Sequence, residues 1–413
     1  MRILSGRAAA KQVLTLAARG SQSGKVEPAV KRIVDDVRRG GDKSLRVYAE
    51  RWDGLRKHSA FRVEEQEIQE AWKATPLSLR SALREAAKNI GKFCEWQTPK
   101  EWERSSGGVS VGQLIRPLAS VGCYVPGGRH PLVSTVLMTV IPAQAAGVKN
   151  IRIVSPNPRS EVLAAAAMLG VGEFYRVGGA QAVAALAYGT ESIPRVDKIV
   201  GPGNRYVTAA KRLVSFDCAI DFLAGPTEIV VLSDTGTPEF IAADLVAQSE
   251  HDPETLAIFI TTSNRLGKAV AGSATKLARA NPVARESLSR SGVVLVAESR
   301  EQSLDWANAI APEHITVERT NVPLINNAGS IFVGDYSAQA AGDYASGPNH
   351  VLPTAGVARF RGGLSVLDFL KIITVQELSS KGLRRLAPAI ECLAVTEGLA
   401  AHAESISLRT RHA

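Results

Sequence analysis

The chain reads as an α/β protein of two strand-helix domains, and three features predict this. From Ser120 a strand, loop, helix pattern repeats four times within about ninety residues. A second series of strand-like runs follows from Glu228. The runs of both series are continuously apolar rather than alternating, as expected of strands covered on both faces. Helices between strands return the chain to the same end of a sheet, so the strands must pair in parallel. Doubly wound domains follow.

The first hundred residues read as helices. In "AVKRIVDDVRRGGDKSLRVYAERWDG", Val30, Ile33, Val34 and Val37 recur at helical spacing, Gly40-Gly41 stops the run, and Leu45, Val47 and Tyr48 restart it. A second helix pair covers 63–93. The strand "SVGCYVP" is broken by Pro126-Gly127-Gly128 and followed by a helix over 134–146 that Gly147 closes. Next come "NIRIVSP" and the helix "SEVLAAAAMLG", then "EFYRV", Gly178-Gly179 and the helix "AQAVAALAYG". "VDKIV", the loop "GPGN" and the helix "RYVTAAKRLV" complete the first series. The second is "EIVVLSD", a helix over 237–251, "AIFITTS", "GVVLVAES", "HITVE" and "SIFVGD". Two such domains side by side are expected to bind ligands in a cleft at the carboxyl ends of their strands. The tail over 364–413 reads as helices without a sheet, free to pack on its own chain or a partner.

Composition excludes several classes. A length of 413 residues implies more than one core, and no apolar run reaches the roughly 18 residues that cross a bilayer. No membrane role is expected, and a cytoplasmic location is. The N-terminal stretch is rich in Arg, Lys and Ser, but nothing marks a cleavage point, so it reads as helix and linker rather than a transit peptide. The net charge of +9 is scattered and aromatics make up only 5%, which disfavours nucleic acid. Four dispersed cysteines with no C-x-x-C pair fit neither a thiolate zinc site nor a disulfide framework.

Polar chemistry concentrates elsewhere. "VPGGRHP", "VGGAQA" and "GPGNRYV" are glycine-rich turns between strand and helix, where backbone N–H groups and the positive end of a helix suit a phosphate. None is G-x-G-x-x-G. In "LVAQSEHDPE" a helix closes on Gln248 and His251, three apart and so on one side. Glu313 and His314 sit in "APEHITVE", Asp343 and His350 in "AGDYASGPNHVLPT", and Glu397 and His402 in "TEGLAAH". Imidazoles, a carboxylate and an amide oxygen from separate elements make a possible zinc site without cysteine. No H-E-x-x-H helix or G-x-S-x-G elbow is present.

Together "YVPGGRHPLVSTVLMTVIPAQAAGV", "GGAQAVAALAYGTESIPRVDKIVGPGN", "AGPTEIVVLSD", "LVAQSEHDPE", "APEHI" and "AGDYASGPNHVLPT" resemble the L-histidinol dehydrogenase family along essentially the whole chain. The resemblance implies a homodimer of two incomplete Rossmann-like domains with a domain-swapped helical tail. Residues 1–120 and 227–363 would form the first domain, 121–226 the second, on the NAD side, and 364–413 the tail in dimer contact. The implied reaction takes L-histidinol to L-histidine through an aldehyde, with one zinc ion per subunit and two NAD. Carried over by position, Gln248, His251 and Asp343 would bind zinc, with His402 from the second subunit. Glu313 and His314 match the acid/base pair, Thr227, His350 and Glu397 substrate contacts, and Tyr124, Gln181 and Asn204 the cofactor turns. The zinc ligands and His314 would also touch substrate.

One difficulty attends the tail. Glu397 and His402 are five apart, roughly 140° around a straight helix, so they cannot share one face. Either Gly398 ends or bends the helix, or the two serve different sites. The nearest rival is a paralogous dehydrogenase of another primary alcohol, such as a sulfonated diol. A carboxylate at Glu397 disfavours that, because it repels a sulfonate. A zinc hydrolase using Glu313 as base would need no cofactor turns.

Overall fold

The computed structural model describes residues 1–20, 26–127 and 131–411. Residues 21–25 of the basic N-terminal stretch and 128–130 of the first glycine-rich turn lie outside the described residues. The chain starts with β1 (Arg2–Ser5) and α1 (Gly6–Ala17), then α2 (Glu27–Trp52), α3 (Glu65–Ala74) and α4 (Leu77–Gln97). Gly41 in α2 adopts φ +49°, ψ −136°, so the glycine pair kinks one long helix. A hairpin follows, β2 (Trp102–Ser106) and β3 (Val109–Pro117). Its two-residue turn, Gly107-Gly108, has both φ positive, which matches the twist of the flanking strands.

The first strand-helix series is β4 (Ser120–Tyr124), α5 (Val133–Ala145), β5 (Asn150–Val154), α6 (Ser160–Met168), β6 (Glu173–Tyr175), α7 (Gly179–Tyr188), β7 (Lys198–Val200), α8 (Arg205–Val214) and β8 (Ala219–Ile220). The second opens with β9 (Glu228–Leu232), α9 (Pro238–Ser249), β10 (Leu256–Thr261), α10 (Asn264–Leu277) and α11 (Pro282–Arg290). It continues with β11 (Val293–Val296), α12 (Arg300–Ile310), β12 (His314–Val317), β13 (Ser330–Val333) and α13 (Gln339–Tyr344). The chain ends with β14 (Leu370–Leu378), α14 (Ser380–Thr396) and α15 (Ala400–Arg411).

Two parallel sheets carry the molecule. The five-stranded one has the order β6-β5-β4-β7-β8 and the six-stranded one β1-β11-β10-β9-β12-β13. Counted within each series, both run 3-2-1-4-5, and β1 extends the outer edge of the second. Each sheet therefore reverses its order at one point, between β4 and β7 in the first and between β9 and β12 in the second.

Packing redraws the expected division of the N-terminal residues. Only β1 and α1 join the six-stranded sheet, through Ala9, Val13 and Leu16 against Val230 and Ile258. Val30, Ile33 and Val37 of α2 pack with Val183 and Val207 on one face of the five-stranded sheet. Ile68 and Ile90, from α3 and α4, meet Val121 and Ile153 on the other. So 27–97 cover the sheet with which they were not grouped, because that sheet needs helices on both faces to bury its continuous apolar strands.

The tail is corrected as well. It holds a nine-residue strand, β14, paired antiparallel to β3 from Leu370 opposite Pro117 to Leu378 opposite Val109. The run "KIITV" is rich in β-branched residues, and that preference, rather than helical spacing, decides it. Among the described residues no helix is long and apolar enough to cross a membrane.

Candidate active site

The reversal between β9 and β12 brings together residues that are far apart in sequence. His314 is in register with Ile229, so Glu313, just before β12, reaches the start of β9. There the Thr227 hydroxyl and the Glu228 N–H both donate to Glu313 Oε2, at 2.5 and 2.9 Å. Ala311, in the left-handed region at φ +50°, ends α12 and turns the chain into Pro312 and this pair. His314 is 3% exposed. Its Nδ1 lies 3.2 Å from the Glu228 carbonyl oxygen, and an N–H donated there leaves the Nε2 lone pair free. Nε2 is buried without a hydrogen-bond partner, and Asp343 Oδ1 stands 3.6 Å away, beyond bonding range.

The remaining groups arrive from α9 and α13. Gln248, in the last turn of α9, is 2% exposed and donates from Nε2 to Asp343 Oδ2 at 3.0 Å. The chain leaves the helix just after it, with the His251 N–H still bonded to the Gln248 carbonyl at 3.2 Å. His251 itself is exposed, and Asp343 lies within electrostatic reach of it, of His314 and of His350. His350 Nδ1 lies 2.7 Å from the Asp343 carbonyl oxygen. A cavity of about 470 Å³ reaches His314 and His350 along β13.

Burial and charge compete at each of these groups. Desolvation pushes the Glu313 carboxyl up to about 7, against the pull of His314, Thr227 and the Glu228 N–H. Burial pulls His314 down, but the carboxylates of Glu313 and Asp343 outweigh it and raise its pKa. At Asp343 burial works upward, and the neighbouring imidazoles win and lower it. Burial dominates at His350, which is lowered. A buried carboxyl brought up to about 7 beside a buried imidazole suits proton transfer.

Thr227, Gln248, His251, Glu313, His314, Asp343 and His350 thus converge, and Glu397 and His402 do not join them within this chain. Glu397 caps the C-terminus of α14, and Gly398 follows at φ +75°. The Gly398 N–H bonds the Val395 carbonyl and the Leu399 N–H the Ala394 carbonyl, a left-handed helix stop. The two residues therefore sit on either side of a break, and the objection from a straight helix lapses. α15 packs on α14 and buries none of its residues. Among the described residues no three of His, Cys, Asp and Glu assemble into a metal-holding group.

The cofactor candidates also converge. Tyr124, Gln181 and Asn204 line one cavity of about 380 Å³ with Trp52 and Asp53, beyond the carboxyl ends of β4, β6 and β7. The Tyr124 hydroxyl accepts the Gly179 N–H at 2.9 Å. Gln181 Nε2 and the Gly178 N–H both donate to Asp53 Oδ2 at 3.0 Å. Asn204 Oδ1 caps α8, accepting from Tyr206 and Val207 N–H, so its amide nitrogen is the end left to offer. Asp53 and Glu228 were missed in the sequence. An acid at the end of an amphipathic helix looks solvated, and one opening an apolar strand is the only hint for Glu228.

The location corrects one expectation. The cavity lined by Tyr124, Gln181 and Asn204 lies at the carboxyl edge of its sheet, whereas Thr227, Glu313 and His314 stand at the amino ends of β9 and β12. The return of α9 to the start of β10 puts Gln248 and His251 at that same edge.

Known proteins share this architecture. A sequence model of the histidinol dehydrogenase family matches residues 16–410. The histidinol dehydrogenase of Methanothermobacter thermautotrophicus is 48% identical over 395 residues, 92% of either chain. That of Geobacter sulfurreducens is 44% identical over 410 residues, 95% of this chain and 96% of the relative. The crystal structure of histidinol dehydrogenase from Elizabethkingia anophelis aligns with a TM-score of 0.94 at 36% identity, over 100% of this chain and 98% of that one. Sequence along nearly the full length and the fold of both sheets agree, and the chain belongs to the histidinol dehydrogenase family.

Proposed function

We propose that this protein is a zinc-dependent, NAD-linked L-histidinol dehydrogenase of histidine biosynthesis in the cytoplasm, oxidising L-histidinol to L-histidine through the aldehyde with two NAD per substrate. The observation that carries this reading is the His314 Nε2 atom, buried without a partner beside Asp343 and facing the same corner as Gln248. The donor set fits the metal: Gln248, His251 and Asp343 offer an amide oxygen, an imidazole and a carboxylate, all acceptable to zinc. Zinc held there with a single carboxylate keeps net positive charge and supplies a fixed grip on the substrate's neutral amine and imidazole nitrogens.

The chain's own groups do the proton work. His314, fixed through Nδ1 by the Glu228 carbonyl, presents Nε2 to take the alcohol proton as hydride leaves the same carbon for NAD. The products of that step are aldehyde, NADH and a proton. Glu313, once ionised, takes a proton from water so that the oxygen adds to the aldehyde carbon. The hydrate then loses a second hydride to a second NAD and two protons, one from each oxygen and both passing to the medium, Glu313 returning to its ionised form, and carboxylate is left. Tyr124, Gln181 and Asn204, around one cavity at the helix starts, support NAD binding on the five-stranded sheet.

Dimerisation belongs to the same proposal. The chain offers too few metal donors by itself, and its tail presents Ile372, Leu393 and Val395 at 55, 63 and 65% exposure. Residues 364–413 crossing to a second copy would cover that apolar surface and deliver His402 and Glu397 to its site. The test is NADH formed per L-histidinol, before and after chelation. We expect two per substrate, loss on chelation and return with zinc; no histidinol-dependent NADH from the zinc-loaded enzyme overturns the reading.

A further inference from the structure

The two proton-transfer side chains share one backbone anchor. Glu228 opens β9, with its N–H on Glu313 Oε2 at 2.9 Å and its carbonyl oxygen 3.2 Å from His314 Nδ1. Its own carboxylate, with 3% of the side chain exposed, is gripped at two points by Arg19, Nε lying 2.6 Å from Oε1 and Nη2 pairing with Oε2. Arg19 comes from just beyond α1, 209 residues earlier in the chain. The same guanidinium donates from Nη1 to the carbonyl of Ile310, the last residue of α12, at 2.7 Å. Glu228 Oε1 also accepts the Ala355 N–H at 2.9 Å.

Two strained turns stand against this pair. Ala311 and Ala355 hold φ +50° and +55°, and among the described residues only His58 and Asn157 are the other non-glycine residues with positive φ. Such a conformation persists where the surroundings over-determine it. The Ile310 carbonyl bond precedes the Ala311 turn into Glu313, and the Ala355 bond holds the second turn directly. The ion pair therefore ties the end of α12, the start of β9 and the loop after Thr354 into one unit behind the acid and the base.

We propose that the Arg19–Glu228 ion pair is a positioning device for Glu313 and His314, acting through the Glu228 backbone. This rests on the reading of those two residues as the proton-transfer pair. A buried ion pair contributes little net stability, since desolvation offsets its attraction. Its effect on geometry is larger, because a displacement of about 1 Å at a reacting group costs about a hundredfold in rate. Neither residue touches substrate in this account.

Arg19→Lys keeps the charge and loses the two-point fork, and Glu228→Gln keeps the shape and loses the charge. In each, kcat for aldehyde oxidation should fall about 10- to 100-fold while KM for L-histidinol and for NAD stays within about threefold. Added to Glu313→Gln, Arg19→Lys should cost less than about threefold more, because both changes remove one function. In the metal-free protein, amide hydrogen exchange at Glu228 should speed up at least about tenfold in Arg19→Lys, as its bond to Glu313 loosens. Unchanged kcat in folded single variants, effects that multiply in full, or an unaltered Glu228 exchange rate would each overturn the proposal. A wild-type enzyme that makes no NADH from L-histidinol instead overturns the reaction, and the exchange measurement then decides the role of the pair on its own.

Discussion

The two parallel sheets share a strand order and use opposite ends. In the five-stranded sheet the glycine-rich turns follow β4, β6 and β7, so the cavity proposed for NAD opens at the carboxyl edge beside its order reversal. In the six-stranded sheet the polar groups precede β9 and β12, and the reversal point is occupied from the amino edge. A shared topology therefore fixes where a crevice can form without fixing which edge carries the chemistry. That choice follows from which loops are glycine-rich and which bear side chains able to transfer protons or bind a metal.

The division can be broken on the amino edge first. His251→Ala should abolish zinc retention and lower turnover about a thousandfold or more, with NAD affinity at the other sheet unchanged. Metal analysis beside NAD titration checks this, and retained zinc with full activity would return His251 to the role of a solvated helix end.

Next in size is Glu313→Gln. It should slow aldehyde oxidation about a hundredfold and alcohol oxidation much less, so that NADH per L-histidinol falls from two toward one in short incubations. Equal slowing of both steps would assign Glu313 to a step common to the two.

The same substitution has a pH signature in the metal-free protein. Because burial raises the Glu313 pKa to about 7, the folded state holds this proton more tightly than the unfolded chain, and stability falls as pH rises from the ordinary carboxylate range through 7. Removing the carboxyl should therefore stabilise the protein at pH 8 and leave pH 4 little changed. The gain is reduced to the extent that the Glu313 carboxylate and the His314 imidazolium stabilise each other. Denaturant melts at the two pH values test the sign.

The smallest expected effect is at the carboxyl edge. Asp53→Ala removes the acceptor of both the Gln181 and the Gly178 hydrogen bonds, and the freed turn should raise KM for NAD about tenfold at nearly constant kcat for L-histidinol. A change in zinc content there would mean that the two edges are coupled.

Much of this was legible in local patterns. The Gly40-Gly41 interruption, the two strand-helix series and the helix closed by Gly147 all follow from backbone preferences of a few neighbouring residues. Motif likeness marked Gln248, His251, Glu313, His314, Asp343 and His350, and the fold brings them to one corner. The β14 strand was overlooked because its partner, β3, lies some 250 residues earlier, at Val109–Pro117 against Leu370–Leu378. Arg19 and Asp53 gave no signal, and Glu228 only its place at the start of an apolar strand, for the same reason: each acquires its meaning from a partner distant in sequence.

By itself the sequence determined the elements of the two strand-helix series, their parallel pairing and the family, since hydrophobic period and turn chemistry act over a few residues. Tertiary structure decided that 27–97 cover the five-stranded sheet, that Glu313 and His314 sit at an amino edge, and that Arg19 reaches Glu228. Those outcomes depend on desolvation and on contacts between remote segments. Burial first, with the neighbouring charge of Glu228, turns Glu313 from an ordinary carboxylate into a group poised near neutral pH.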